Sequence, residues 1–276
     1  MTLIGNYPIN LNYPTASVNE PRWGYEKPRH PLLHQIIDRG RKDYQSLLRR
    51  FLDYKDRYLA ISRHEDEGLP LEPHLTTPWL PGLDSLALYC MLPILKPAKY
   101  IEIGSRNSTR FARRSIRDNS LETEVVSIDP APRAEIDGIC DQLLRKPLEE
   151  VDCSFFDQLE ANDVLFVDSS HRCFMNSDVT VMFLDVLPRL RPGVVVEIHD
   201  IFLPDDYPPS WAQRYYSEQY LLAAYVLAEG RRFDVLLPNG FISKDPQLRK
   251  ILSPIFSAPD MTEVRSGGGS FWLRMN

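Results

Sequence analysis

Tyr100-Ile-Glu-Ile-Gly-Ser-Arg-Asn-Ser-Thr-Arg110 begins as an apolar run, breaks at one glycine into small polar residues, and continues as a helical pattern. The run predicts strand, tight turn and helix. Gly104 can take positive φ and lets a ligand approach the backbone, while Ser105, Asn107, Ser108 and Thr109 are residue types that cap a helix start. Unpaired N–H groups at that helix end would face an anion such as a carboxylate or phosphate.

Downstream, strand and helix signals alternate. Glu124-Val-Val-Ser-Ile-Asp129 reads as a β-branched strand stopped by Pro130 and Pro132; a helix near Arg133 to Ile139 and a weak strand near Asp141 to Arg145 follow. Asp163-Val-Leu-Phe-Val-Asp168 and Gly193-Val-Val-Val-Glu-Ile-His-Asp200 are the fourth and fifth strands, with an amphipathic helix over Asp178 to Leu190 between them. Near-continuous apolar strands joined by helices imply a parallel sheet covered on both faces, with ligands at the carboxyl ends of the strands. Glu102 and Gly104, Asp129, Asp168, and His199 with Asp200 all fall at those ends.

Upstream, residues 1–30 are a proline-bearing arm without period, and Pro31 to about Ser62 has helical spacing with a break expected at Gly40. Trp79 lies between prolines and either walls a ligand site or packs the arm onto the body. Asp84 is expected to cap a helix through Leu95. At the far end, Gln213 to Glu229 reads as a helix and Arg232 to Pro238 as a strand. Phe241 to Ser243 reads as strand again after a bend at Asn239-Gly240, Pro246 to Phe256 as a helix, and Ser270 to Met275 as a closing, antiparallel strand. The expected division is 1–30 arm, 31–78 helical extension and 79–276 α/β domain.

With 276 residues, 43% hydrophobic and 25% charged, the chain suits one large globular unit with an extension. A formal net charge of −6 argues against a nucleic-acid binder, and Arg39, Arg41, Lys42, Arg49 and Arg50 read as a solvated helix face. Cys90, Cys140, Cys153 and Cys173 have neither paired nor zinc-like spacing, so reduced thiols are expected. No leader pattern and no apolar run of about 18 residues is present, and the expectation is a cytoplasmic protein without membrane contact. A homodimer through the aromatic-bearing arm is expected as well.

A dinucleotide turn wants Gly-x-Gly-x-x-Gly, and this turn has one of the three glycines, which disfavours NAD and FAD; no Walker loop occurs. Four stretches together resemble a known family: Glu102-Ile-Gly-Ser-Arg-Asn-Ser108, Ser127-Ile-Asp-Pro130, Phe166-Val-Asp-Ser-Ser-His171 and Pro192-Gly-Val-Val-Val-Glu-Ile-His-Asp200. The chain is similar, over roughly residues 80 to 275, to class I S-adenosylmethionine-dependent methyltransferases of the catechol-type, small-molecule branch. The resemblance implies a doubly wound, Rossmann-like α/β fold with a seven-stranded, mostly parallel sheet and an antiparallel last strand. It implies cofactor contacts from Gly104, Ser105, Asn107, Ser108, Asp129 and Asp168, with Asp129 on the ribose hydroxyls and Glu102 organising the turn. Arg106 stands where the family often has a small residue; its guanidinium has two destinations, solvent or the cofactor carboxylate.

Methyl transfer to a hydroxyl needs the acceptor positioned and deprotonated. Two routes are open. Asp168, His199 and Asp200, or His171 in place of His199, could hold Mg²⁺ or Mn²⁺; alternatively His199 or His171 acts as a general base. Ile201 stands where metal-dependent members carry Asn or Asp. Tyr207, Trp211, Arg214, Tyr215 and Glu218 are the candidates for a substrate wall suited to a saccharide-like acceptor. The rival readings are a non-catalytic cofactor-binding or scaffold protein and a nucleotide-dependent oxidoreductase.

Overall fold

The computed structural model describes residues 20–132, 135–228 and 232–276. Most of the expected arm, the start of the helix expected at Arg133 and the end of the one expected at Glu229 lie outside them. The helices are α1 (Pro31–Asp38), α2 (Arg41–Phe51), α3 (Lys55–Leu59), α4 (Gly82–Leu95), α5 (Asn107–Asp118), α6 (Asp178–Val181), α7 (Glu218–Leu227), α8 (Asn239–Ile242), α9 (Pro246–Ile251) and α10 (Ser253–Phe256). The strands are β1 (Lys99–Ile103), β2 (Glu124–Ile128), β3 (Gln142–Leu144), β4 (Val164–Val167), β5 (Val195–Ile198), β6 (Phe233–Pro238) and β7 (Phe271–Met275).

These strands form one seven-stranded sheet in the order β3-β2-β1-β4-β5-β7-β6. β1 to β5 run parallel, and β7 is antiparallel to both β5 and β6. The fold is therefore the mixed α/β sheet with helices on both sides that the alternating pattern implied. The strand order reverses between β1 and β4, because the chain leaves β1 towards β2 on one side and returns to β4 on the other. A crevice opens at such a point outside the strand ends.

The registers align the chemistry. Ile103 pairs with Val167 and Ile128, and Val167 with Ile198, so Gly104, Asp129, Asp168 and His199 leave their strands at one level. Every residue of β4 and β5 is buried, including Glu197.

α4 is hydrophobic on all sides, with twelve of its residues buried; it packs against α5, where Ser115 Oγ donates to the Tyr89 carbonyl at 2.6 Å. The N-terminal helices bury Leu33, Ile37, Tyr44, Leu48 and Phe51. α1 rests on α7 and α2 on α9, and Arg41 clamps the second contact with Asp245 at 2.6 Å. The break after α1 falls at Arg39 and Gly40, as the spacing predicts.

Four local expectations are corrected. The hydroxyls and amide expected to cap α5 make no capping bond, because Ser108 and Thr109 donate to Glu102 instead. The helix expected from Gln213 starts at Glu218, since Tyr215 takes a left-handed conformation at φ 54°. Asn239 to Ile242 form α8 rather than a strand, and Gly240 lets that turn lie against the backbone of Ile201 and Phe202, where a Cβ would stand 2.9 Å from the Ile201 carbonyl oxygen.

Asp84 is the fourth. It sits inside α4, 1% exposed, and caps nothing there. Its carboxylate accepts from Gly269 N (2.7 Å), Ser270 N (2.9 Å) and Asn239 Nδ2 (2.8 Å), which fixes the approach of the chain to β7. Asp84→Ala would strand two buried amides, and urea denaturation is expected to show a loss of roughly 2–5 kcal/mol. A loss under about 0.5 kcal/mol would show that the amides find other partners.

Candidate active site

The turn after β1 is held by contacts the sequence does not display. Gly104 takes φ 80°, and a Cβ there would lie 1.9 Å from the carbonyl oxygen of Asp168, so no other residue fits without parting β1 from β4. Ser105 N donates to Asp129 Oδ2 at 2.9 Å and Ala131 N to Asp129 Oδ1 at 2.8 Å. Each Asp129 oxygen thus keeps acceptor capacity for a further ligand.

Glu102 is fully buried below the turn and receives the Ser108 hydroxyl and the Thr109 hydroxyl (2.5 Å). Burial pushes its carboxyl up to about 8, against the pull of those two donors. The raised value means that the unfolded chain gives up this proton first as pH rises. A folding penalty accordingly accumulates from about pH 4.5 to about 8 and stays constant above. Glu102→Gln is expected to gain several kcal/mol on the wild type across that window in urea denaturation, at ~1.4 kcal/mol per pH unit at most. Parallel pH profiles for the two proteins would refute a raised Glu102.

Asp168 and Asp200 leave β4 and β5 side by side, and His171 swings between them. His171 Nε2 stands 3.1 Å from Asp168 Oδ1 and 3.5 Å from Asp200 Oδ2, while Nδ1 is 2.9 Å from Glu218 Oε2. α7 grips the same residue by its backbone: Ser217 N (2.8 Å) and Glu218 N (3.2 Å) both donate to the His171 carbonyl. His171 (φ 60°) and Asp200 (φ 59°) both adopt the left-handed region, which costs a non-glycine residue about 1–3 kcal/mol and persists only where surroundings enforce it. Burial alone would lower the His171 pKa, but its bonds to Asp168 and Glu218 hold it well above the usual histidine range. Burial raises Asp168, yet the His171 bond and the His199, His171 and Arg106 charges outweigh it and leave that carboxyl below its ordinary value. Burial raises Asp200 and Glu218.

Ligating atoms of Asp168, His171 and Asp200 lie within 4.8 Å of one another, the spacing of a metal-binding group. Two carboxylates and an imidazole are a donor set that fits Mn²⁺ or Mg²⁺. His199, expected in this group, is placed elsewhere. Its ring is stacked on Phe166, with Nδ1 on Glu197 Oε1 (3.2 Å) and Ser270 Oγ (3.3 Å) and Nε2 facing the Trp79 carbonyl (3.3 Å). Burial raises Glu197 to about 7, and the Glu197 bond carries His199 well above the ordinary range.

Of the residues expected on a substrate wall, Tyr207, Trp211 and Arg214 form one cluster: Phe202 and Tyr216 meet both rings edge-on, and the Arg214 guanidinium stacks 3.8 Å from the Trp211 ring. Tyr216, absent from that expectation, touches the His171 ring at 4.5 Å. Tyr215 is turned outward and exposed. Glu218 is fully buried and directs its carboxylate to His171 and to the Ser169 hydroxyl. Its partnership with His171 spans 47 residues and left no local signal in the sequence. Glu197 did leave one, an acid inside an apolar strand.

Trp79 crosses the turn. A narrow cleft of about 10 Å³ remains between Trp79, Leu80, Arg106, Asn107, Ser108, Phe166 and Asp168. Asn107 Nδ2 donates to Thr77 Oγ1 at 2.7 Å, tying residues 77–80 to the head of α5.

The sheet order and its antiparallel insertion beside β5, with acids closing β2, β4 and β5, are the arrangement of the class I, Rossmann-like methyltransferase fold. In particular, residues 101–201 match the family model described as a methyltransferase domain. No curated protein matches the sequence significantly. Among solved structures, the chain is similar to the S-adenosylhomocysteine-bound Podospora anserina methyltransferase PaMTH1 (20% identity, 70% of this chain and 77% of that one, TM-score 0.43). It is similar also to the O-methyltransferase TomG of Streptomyces achromogenes, involved in tomaymycin synthesis and solved with S-adenosylmethionine (16%, 81% and 95%, 0.41). A Bacillus cereus O-methyltransferase solved with S-adenosylhomocysteine gives 14% identity, 83% and 90% coverage and a TM-score of 0.37. Among the described residues no helix is long and apolar enough to cross a membrane, and the four cysteines form no disulfide.

Proposed function

We propose that the chain moves the methyl group of S-adenosylmethionine to a hydroxyl oxygen of a small, polyhydroxylated or saccharide-like acceptor. In the transfer an O–C bond forms as the C–S bond breaks in line; the products are a methyl ether, S-adenosylhomocysteine and a proton. The observation that carries the reading is the convergence of Asp168 and Asp200 on one nitrogen of His171, beside the turn at Gly104. The Asp129 carboxylate accepts from the ribose hydroxyls, and the Gly104 to Ser108 backbone lies along the methionine part. Entry of that part requires residues 77–80 to lift, since the cleft has room for about one water.

Asp168, His171 and Asp200 would hold a divalent cation, which supplies a lowered pKa for the acceptor hydroxyl. Glu218 orients His171 through Nδ1, so Nε2 faces the reaction. The hydroxyl proton would pass to the Asp168 carboxylate of this group. Tyr216, Trp211 and Arg214 face the acceptor as a wall with polar tips.

Three measurements test the reading. Excess EDTA should abolish methylation of a hydroxylated panel, with Mn²⁺ or Mg²⁺ restoring it; full activity in EDTA would remove the cation from the reading. His171→Gln should lower kcat by about 100-fold or more with cofactor affinity nearly unchanged. Calorimetry should show Asp129→Ala weakening S-adenosylhomocysteine by about 10- to 100-fold, and an unchanged Kd would sink the ribose contact.

A further inference from the structure

Arg106 is the residue in the turn to which the chemistry above gives no contact, although its charge helps to hold Asp168 low. It heads α5 with φ −156° and ψ −131°, neither helical nor extended, and makes no capping bond. The other arginines on the helix are engaged with acids: Arg113 with Asp141, Arg114 with Asp118 and Glu72, Arg117 with Glu72, and Arg110 with Glu65. Arg106 has no carboxylate partner among the described residues. Its guanidinium rests 5.8 Å from the centre of the Trp79 ring and lines the cleft beside Asn107, Ser108 and Asp168.

That placement is informative because the surroundings are acidic. Asp129 and Asp168 both close on the same turn, and an anionic ligand group entering there meets their repulsion. S-adenosylmethionine has one anionic group, its α-carboxylate, at the end of the amino-acid part; its sulfonium and ammonium are cations and suit the acids. A guanidinium presents a fork of donors that matches a carboxylate, and a face that an aromatic ring can hold while the fork is empty.

We propose that Arg106 is the specificity-determining residue for the amino-acid end of the cofactor. It pairs with the α-carboxylate, and the Trp79 ring holds it over the cleft. The proposal rests on the reading of the Gly104 turn as the S-adenosylmethionine site, and it extends that reading by saying which part of the ligand is selected and by what.

Titration calorimetry on the full chain with two probes separates the possibilities. S-adenosylhomocysteine carries the carboxylate; 5′-methylthioadenosine keeps the adenosine thioether and lacks the amino-acid end. The wild type should bind the first more tightly. Arg106→Gln should weaken S-adenosylhomocysteine by about 10- to 100-fold while leaving methylthioadenosine within about threefold, and Arg106→Lys should restore part of the loss. An equal loss for both probes would make Arg106 a structural support of the turn and overturn the proposal, as would no loss for either. A wild type that binds neither probe would overturn the cofactor reading itself, a result distinct from the other two. The side chain has no ion pair to lose among the described residues, so the variants should fold, and circular dichroism checks this.

Discussion

The carbonyl oxygen of Asp168 stands where a side chain on residue 104 would begin. That approach is enforced from both sides, because Gly104 N donates to the Ile128 carbonyl (3.0 Å) and Asp168 N to the Ile103 carbonyl (2.9 Å). The ends of β1, β2 and β4 are thereby fastened to one another at the level where their acids emerge. Were they splayed by even a methyl group, Asp129 would lose its seat on Ser105 N and Asp168 its distance to His171. The single glycine does not merely permit a turn; it sets how near the two halves of the site can come.

Around that contact the chain buries acids in two distinct ways. Glu102, Asp84, Glu197 and Glu218 are essentially inaccessible, and a carboxylate so placed is tolerated only when donors compensate its lost hydration. Glu102 has two hydroxyls, Asp84 has two amides and a carboxamide, and Glu197 and Glu218 each have an imidazole. Asp129, Asp168 and Asp200 keep partial exposure and spare acceptor capacity. Full burial marks the acids that hold the turn, the β7 approach and the two histidines; partial burial marks the ones available to ligands.

Much of the sheet was legible because parallel strands buried on both faces read as unbroken apolar runs, and the registers then carry Asp129, Asp168 and Asp200 to one edge. What escaped were interactions set by distant partners. Asp84 looks like a helix cap until amides 185 and 186 residues away arrive to claim it. Glu218 looks like a polar group on a wall until α7 docks under His171. The α8 turn looks like a strand because Phe241 and Ile242 are β-formers, yet Gly240 must pass against Ile201 and Phe202. In each case local propensity lost to a tertiary contact that no window of sequence contains.

The two histidines show how far a strand-end position alone can carry an assignment. His199 follows β5 directly and adjoins Asp200, so adjacency in sequence favours it; His171 is displaced three residues beyond Asp168, in a loop. Side chains alternate along a strand, however, and residue 199 shares the face of Glu197, which points into the protein and takes Nδ1. Its other nitrogen faces the Trp79 carbonyl, so His199 ties the crossing segment to the sheet. The loop gives His171 the freedom that a strand denies, a left-handed φ that turns the ring back over both carboxylates, and α7 then locks it through Glu218. One imidazole thus faces the Trp79 carbonyl and the other completes the acid pair, and Asp200 lies between them, 3.5 Å from Nε2 of His171 and 3.9 Å from Nε2 of His199.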